Sequence, residues 1–234
     1  IKPSEFTPRT SELVADLIGR YYSEEEVAVI TGEADVGAAF TALPFDHIVF
    51  TGGTSIAYHV MRAAADNLVP ITLELGGKSP NIVFEDCKME NAVKGVVSGI
   101  FAATGQTCIA GSRLLVQQSI HDEFVEKLVD FAKSARMGNP MDYDTQVGPV
   151  TNLMQYEKVL GYIDIAKSEG VETVLGGHKA TRPECGDGWF VEPTIFTGVK
   201  NSMRIAQEEV FGPVLSVIPF EDEEEALEIG RAHV

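Results

Sequence analysis

Basic residues are scarce in this chain. Its 234 residues carry 18 Lys and Arg against 35 Asp and Glu, a formal charge of −17. Such an acidic protein is poorly suited to holding nucleic acid or resting on an anionic membrane surface, so neither is expected as a partner. Part of the acid lies in two runs, "SEEEV" at 23–27 and "FEDEEEALE" at 220–228, which read as solvated loop and helix faces. Cysteine is scarcer still. Cys87, Cys108 and Cys185 are odd in number, far apart and without a CxxC pair. That argues against a disulfide framework or a structural zinc site, and no metal is expected. It fits a reducing compartment, so the expected location is cytoplasmic. Also missing are an apolar run long enough to span a bilayer, a signal-peptide pattern, internal repeats and low-complexity linkers. With 44% hydrophobic and 23% charged residues, the composition is that of an ordinary globular protein. The chain opens at Ile1 rather than Met, and "IKPSEFTP" reads as a strand end entering a turn, so an internal segment is expected.

What is present is an alternation. Thr7 and Pro8 signal a helix start, with threonine as N-cap, and Leu13, Val14, Leu17, Ile18 and Tyr21 follow at helical spacing. "VAVITG" (27–32) predicts a short buried strand, and a small helix over 34–42 leads to the strand "HIVFTGGT". A helix over "SIAYHVMRAAADNL" and the strand "ITLELGG" come next. Later strands are expected at "NIVF" (81–84), "SRLLVQ", 171–175, "FVEPTIF" and "VLSVIPF". Helices are expected from about Met89 to Ala103, near 121–135 and near 152–168. Strands alternating with helices of this length imply βαβ units and parallel sheets, hence an α/β fold. "LGGKSP" (75–80), where glycine and proline interrupt the pattern, is the expected seam between two domains.

Four places carry residues suited to chemistry. "FTGGTS" puts Gly52 and Gly53 at a strand end before a helix, where exposed N–H groups favour a phosphate; such turns are also common without one. It is not the GxGxxG fingerprint of dinucleotide folds. Lys2 and Glu5 read either as an exposed ion pair or, at a strand's carboxyl end, as contacts for ribose hydroxyls. Glu74 ends an otherwise apolar strand, a setting that raises a carboxylate pKa and suits a general base; the alternative is a structural carboxylate paired with a lysine. Cys108 follows an apolar helix in the loop "GQTC" rather than sitting inside a periodic pattern. It reads as an inert small residue or as an accessible nucleophile. Cys87 and Cys185 lie among acids, which raise a thiol pKa, and are expected to be non-catalytic.

Taken together, "LELGGKSP", "GQTC" and "EEVFGP", preceded in order by "IKPSEFTP" and "FTGGTS", resemble the NAD(P)-dependent aldehyde dehydrogenase superfamily over nearly the whole chain. The stretch "PFDHIVFTGGTSIAYHVMRAAADNLVPITLELGGKSP" is similar to the coniferyl-aldehyde branch. The resemblance implies an open parallel-sheet cofactor domain plus an α/β catalytic domain, both truncated. Residues 1–75 would be the end of the NAD-binding domain and 76–227 an incomplete thiol domain. Residues 228–234 read as a non-native tail, because "EIGRAHV" leaves the family pattern and matches translated adapter DNA. It also implies Cys108 as nucleophile and Glu74 as general base. Lys2 and Glu5 fall at adenosine-ribose contacts, Gly52 and Gly53 at the pyrophosphate turn, and Glu209 at a nicotinamide-ribose ligand. Phe211 is the aromatic beside the nicotinamide, and Gln155 lies near a further ribose contact.

The implied reaction is oxidation of a small aldehyde to an acid with NAD, NADP being a second cofactor that the resemblance admits. It runs through a cysteine thioester hydrolysed by water, in a homodimer or homotetramer. A coenzyme A-dependent acylating relative and a non-catalytic protein retaining the fold are the alternatives. Glu74 speaks against the first, and joint retention of Cys108, Glu74, Glu209 and Phe211 against the second. Two departures stand out: Ala57 replaces a glycine common in the family's strand–helix turn, and the family's oxyanion asparagine belongs to a segment ahead of Ile1. The isolated segment is therefore expected to be inactive.

Overall fold

The computed structural model describes residues 1–230, which divide into two compact units, Ile1–Gly76 and the chain from Gly77 onward. In the first unit, α1 (Pro8–Tyr21) and α2 (Ala34–Thr41) precede a βαβ element of β1 (Ile48–Gly52), α3 (Thr54–Asp66) and β2 (Ile71–Leu75). The two strands pair in parallel from Ile48 opposite Ile71 to Gly52 opposite Leu75. Ala57, Val60 and Ala64 recur on one face of α3. Val60 and Ala64 join Ile48 and Val69 in a small core with Phe45, Phe50 and Ile71 packed against it.

Three expectations for this unit need correction. Pro8 starts α1, but the Thr7 side chain makes no capping bond; the Ser11 hydroxyl donates to the carbonyls of Thr7 and Ser4 instead. "VAVITG" is not a buried strand: it is irregular and at best half-buried. Its one extended partner among the described residues is Ile1, whose N donates to Ala28 O (2.7 Å) and whose carbonyl accepts from Ile30 N (2.8 Å), while Val27 N turns back to Ser23 O (3.0 Å). Two bonds to one residue are too few for a ladder. For the same reason Lys2 and Glu5 do not stand at a strand end, since residues 1–7 form no strand.

The second unit runs β3 (Pro80–Val83), α4 (Met89–Phe101), β4 (Arg113–Gln117), α5 (His121–Lys133), α6 (Leu153–Ser168), β5 (Glu172–Leu175), β6 (Thr194–Thr197), α7 (Arg204–Gln207), β7 (Val214–Phe220) and α8 (Glu223–Gly230). Its sheet has the order β3-β4-β7-β6-β5, parallel except for the antiparallel edge pair β5–β6. The central strands are buried on both faces. Leu114, Val116, Leu215 and Val217 meet Val96, Ile100, Phe124 and Leu128 of α4 and α5. Leu115, Val214 and Ile218 point the other way, toward Val159, Ile163 and Ala166 of α6. That explains why these strands read as unbroken apolar runs rather than as alternation. The strand expected at "FVEPTIF" shrinks to Thr194–Thr197, because Pro193 has no N–H to give a ladder. Of the tail read as non-native, Glu228–Gly230 complete α8, and Arg231–Val234 lie outside the described residues. Among the described residues no helix is long and apolar enough to cross a membrane.

Candidate active site

The helix expected to reach Ala103 stops at Phe101, and the backbone just beyond it is strained. Ala103, Thr104 and Gly105 take successive left-handed φ values of 48°, 58° and 69°. For the two non-glycine residues this costs on the order of 1–2 kcal/mol each, so the surroundings must hold them there. Thr104 is buried, and its hydroxyl donates to Gly148 O (3.1 Å). At Gly105 a Cβ would lie 2.0 Å from Gly212 O, so only glycine permits this approach. Further along, Ala110 N donates to Thr107 O (3.0 Å) and closes a turn that presents Cys108 to solvent. The turn's far end is fixed where Gly111 N donates to Gly99 O (3.0 Å) and the Asn81 carboxamide donates to Gly111 O (2.9 Å).

The loop after α7 closes on this turn. Phe211 also takes a left-handed backbone (φ 56°), and Gln155 Nε2 donates to the carbonyls of both Val210 and Phe211 (2.9 Å each). Gln155, expected near a ribose, thus has its amide nitrogen committed to this loop's backbone. Its own N–H donates to the Asn152 side chain (2.8 Å), the N-cap of α6. Glu209 and Phe211 line a cavity of about 10 Å³, room for roughly one water, with Gly77, Gly105, Thr107 and Ser112. Cys108's turn, Glu209 and Phe211 are therefore assembled in one place.

Sequence reading missed three neighbours of this site. Lys78 is buried, and among the described residues its Nζ has no hydrogen-bond partner. Burial, then the charge of Arg113, push its pKa down to about 7, while Glu209 pulls it up. Arg113, fully buried, donates through Nε to Lys78 O (2.7 Å) and through Nη1 and Nη2 to Ile229 O and Gly230 O (2.7 and 3.1 Å) at the end of α8. Glu208, beside Glu209, accepts from Arg204 (2.7 and 2.9 Å) and from Tyr162 (2.7 Å). Those bonds, Arg204's first, bring its carboxyl down to about 2, and burial followed by the Glu208 contact pushes the Tyr162 phenol up to about 12. The only sequence signal was a lysine and an arginine flanking apolar strands. The thiols of Cys87 and Cys185 are raised mainly by burial, with Asp86 and Glu192 adding to it.

In the first unit, Glu74 projects from the exposed face of β2, opposite Thr51. The apolar enclosure expected around it is absent there. At Gly52 a Cβ would come within 2.6 Å of the far end of the Phe50 ring, which would have to shift. Gly53 N-caps α3 with ordinary φ and open space beside it. Ala57 is buried in the first turns of that helix. Lys2 Nζ meets Glu5 Oε2 at 3.0 Å, and a backbone N–H followed by Lys2 holds the Glu5 carboxyl below its usual range. Glu5, Ser4, Phe6, Ser11, Thr31 and Gly32 line a cleft of about 530 Å³. Among the described residues no group of three His, Cys, Asp or Glu is placed to hold a metal.

Comparison with known proteins places this arrangement. Residues 1–231 match the profile of the aldehyde dehydrogenase family. The chain is 43% identical to betaine aldehyde dehydrogenase of Mesorhizobium japonicum, over 97% of its own length and 47% of the relative's. It is 42% identical to a long-chain-aldehyde dehydrogenase of an Acinetobacter species, over 99% and 47%. A crystal structure of betaine aldehyde dehydrogenase from Staphylococcus aureus in complex with NAD⁺ superposes with a TM-score of 0.94 at 43% identity, covering 98% of this chain and 46% of that one. The chain thus spans about half the length of the relatives it matches. Sequence motifs, fold and relatives agree: this chain belongs to the aldehyde dehydrogenase family.

Proposed function

We propose that the full-length protein containing this chain oxidises an aldehyde to a carboxylic acid with NAD, and that Cys108 is its nucleophile. The observation that carries this is the exposed Cys108 in a turn that follows the strained Ala103–Gly105 backbone and lies beside the loop of Glu209 and Phe211. The first unit suits a dinucleotide in two respects. The N-terminus of α3 is open at Gly53, where N–H groups of a 13-residue helix favour a phosphate, and the cleft at Glu5 has a carboxylate able to accept from ribose hydroxyls. Lys2, Glu5, Gly52 and Gly53 are the proposed contacts there, with Glu209 and Phe211 at the nicotinamide end. Gln155 acts on that end through the Phe211 loop. NAD, when bound, supplies the hydride acceptor.

The chain's own part is acyl transfer. The Cys108 thiolate adds to the aldehyde carbon and, after oxidation, carries the acyl group as a thioester. Glu74 takes a proton from the water that hydrolyses it and regenerates the thiolate. The relatives' names span betaine aldehyde and long-chain aldehydes, so the substrate is proposed at the level of the aldehyde class. The test is NADH formation by the full-length protein from aldehyde and NAD, with and without coenzyme A. Turnover without coenzyme A is expected, with losses on the order of 10⁴-fold or more for Cys108→Ala. Glu74→Gln should keep a burst of NADH and slow the steady rate. Near-normal turnover by Cys108→Ala, or strict dependence on coenzyme A, overturns the reading.

A further inference from the structure

One short segment of chain, 148–155, holds both walls of the candidate site in the second unit. On the nucleophile side, Gly148 O accepts from the Thr104 hydroxyl (3.1 Å). Gln106 Oε1 accepts from the N–H and the hydroxyl of Thr151 (3.0 and 2.9 Å), and its Nε2 lies 3.4 Å from the carbonyls of Pro149 and Ala103. On the other side, Gln155 donates to Val210 O and Phe211 O. The segment's own course is fixed by Val150 N donating to Trp189 O (2.8 Å) and by the Asn152 cap.

Resting on the reading of Cys108 as nucleophile, we propose that Gln106 is a positioning residue: it ties the Cys108 turn to the 148–155 strap, and the strap fixes that turn against Phe211 through Gln155. The physical ground is the strain at Ala103 and Thr104. Residues in the left-handed region persist only where surrounding bonds over-determine them. Gln106 supplies such bonds two residues before the sulfur, its carboxamide engaging the strap with both its oxygen and its nitrogen. Without it Ala103 and Thr104 relax toward ordinary φ values and the sulfur of the following turn moves, with little change in the buried core. A displacement of about 1 Å at a reacting atom is enough to cost up to about a hundredfold in rate.

The experiment uses the full-length protein with Gln106→Met, which keeps the side-chain length and removes its polar atoms. Iodoacetamide alkylation of each cysteine, read by peptide mass, is measured beside kcat and KM. Expected are a kcat about ten- to a hundredfold lower with aldehyde KM within about threefold, an altered alkylation rate at Cys108, and an unchanged rate at half-buried Cys87. Thr151→Ser should keep the hydroxyl's contribution, and Thr151→Val should lose about threefold in kcat. Wild-type kcat and Cys108 alkylation in Gln106→Met overturn the proposal, as does a loss accompanied by faster Cys87 alkylation, which marks general loosening. Should Gln106→Met not fold, the Thr151 pair decides: equal behaviour of Val and Ser overturns it. Alkylation needs neither aldehyde nor cofactor, so it tests the anchor even if Cys108→Ala were to displace the nucleophile reading.

Discussion

In the second unit the central strands of a five-stranded sheet are buried on both faces, and each candidate loop is pinned to distant backbone through Thr104, Gln106 or Gln155. In the first, two strands carry a core of four buried side chains, and Leu13, Tyr21, Val49 and Leu68 lie exposed. Its candidate residues are loosely held: Glu74 on an open strand face, Gly53 beside empty space, Lys2 and Glu5 in a partly exposed pair three residues apart. A two-stranded sheet of this kind is marginal alone, whereas three or more strands against helices support themselves. Residues of the second unit are therefore set by the fold around them, while those of the first are held by few contacts.

The sharpest break of that contrast is a pair of glycines. Gly105→Ala forces a Cβ onto Gly212 O in a left-handed backbone, and should destabilise the full-length protein by about 2–4 kcal/mol in a denaturant titration. Gly53→Ala, with open space and ordinary φ, should stay within about 0.5 kcal/mol. Similar values for the two would erase the distinction.

A second comparison uses the lysines. Lys78 sheds its proton near 7 in the folded protein but holds it to about 10.5 in the unfolded chain. Between those values the unfolded state binds more protons, so stability rises with pH. Lys78→Met should flatten that rise and stabilise the protein at pH 6 by about 1 kcal/mol or more. Lys2→Met should act at the acid end instead, since it weakens the Glu5 pair. A carboxyl held below its usual range contributes above about pH 4.5, and that contribution fades as pH falls. Identical pH profiles for the two variants would remove the case for an unpaired buried amine.

The smallest effect is expected at Glu5, a partly exposed carboxylate. Glu5→Gln should move the NAD/NADP ratio of kcat/KM toward NADP by only about two- to fivefold, as a partly exposed charge pair allows. An unchanged ratio would show that Glu5 does not set cofactor choice.

Much of the element order was legible. Strands buried on both faces and helices with one apolar stripe leave local periodic signals, as at "SRLLVQ" and along α3. Four-residue α7 is too short to leave one, and "VAVITG" has strand composition without strand neighbours. The antiparallel edge at β5 could not be read either, because strand direction depends on the path of the chain between strands.

The sequence alone determined the α/β class, the family motifs and the residue types available for chemistry, since these rest on local pattern and on residue identity. Only the tertiary structure decided that Ala103 and Thr104 are held left-handed, that Gln155 spends its amide on the Phe211 loop, and that Lys78 is buried with no partner among the described residues. Each depends on groups that the chain separates by tens of residues, as with Thr104 and Gly148 (44 apart) or Gln155 and Phe211 (56 apart). No local pattern encodes such a meeting; the packed sheet brings the partners together and excludes the water that would otherwise satisfy them.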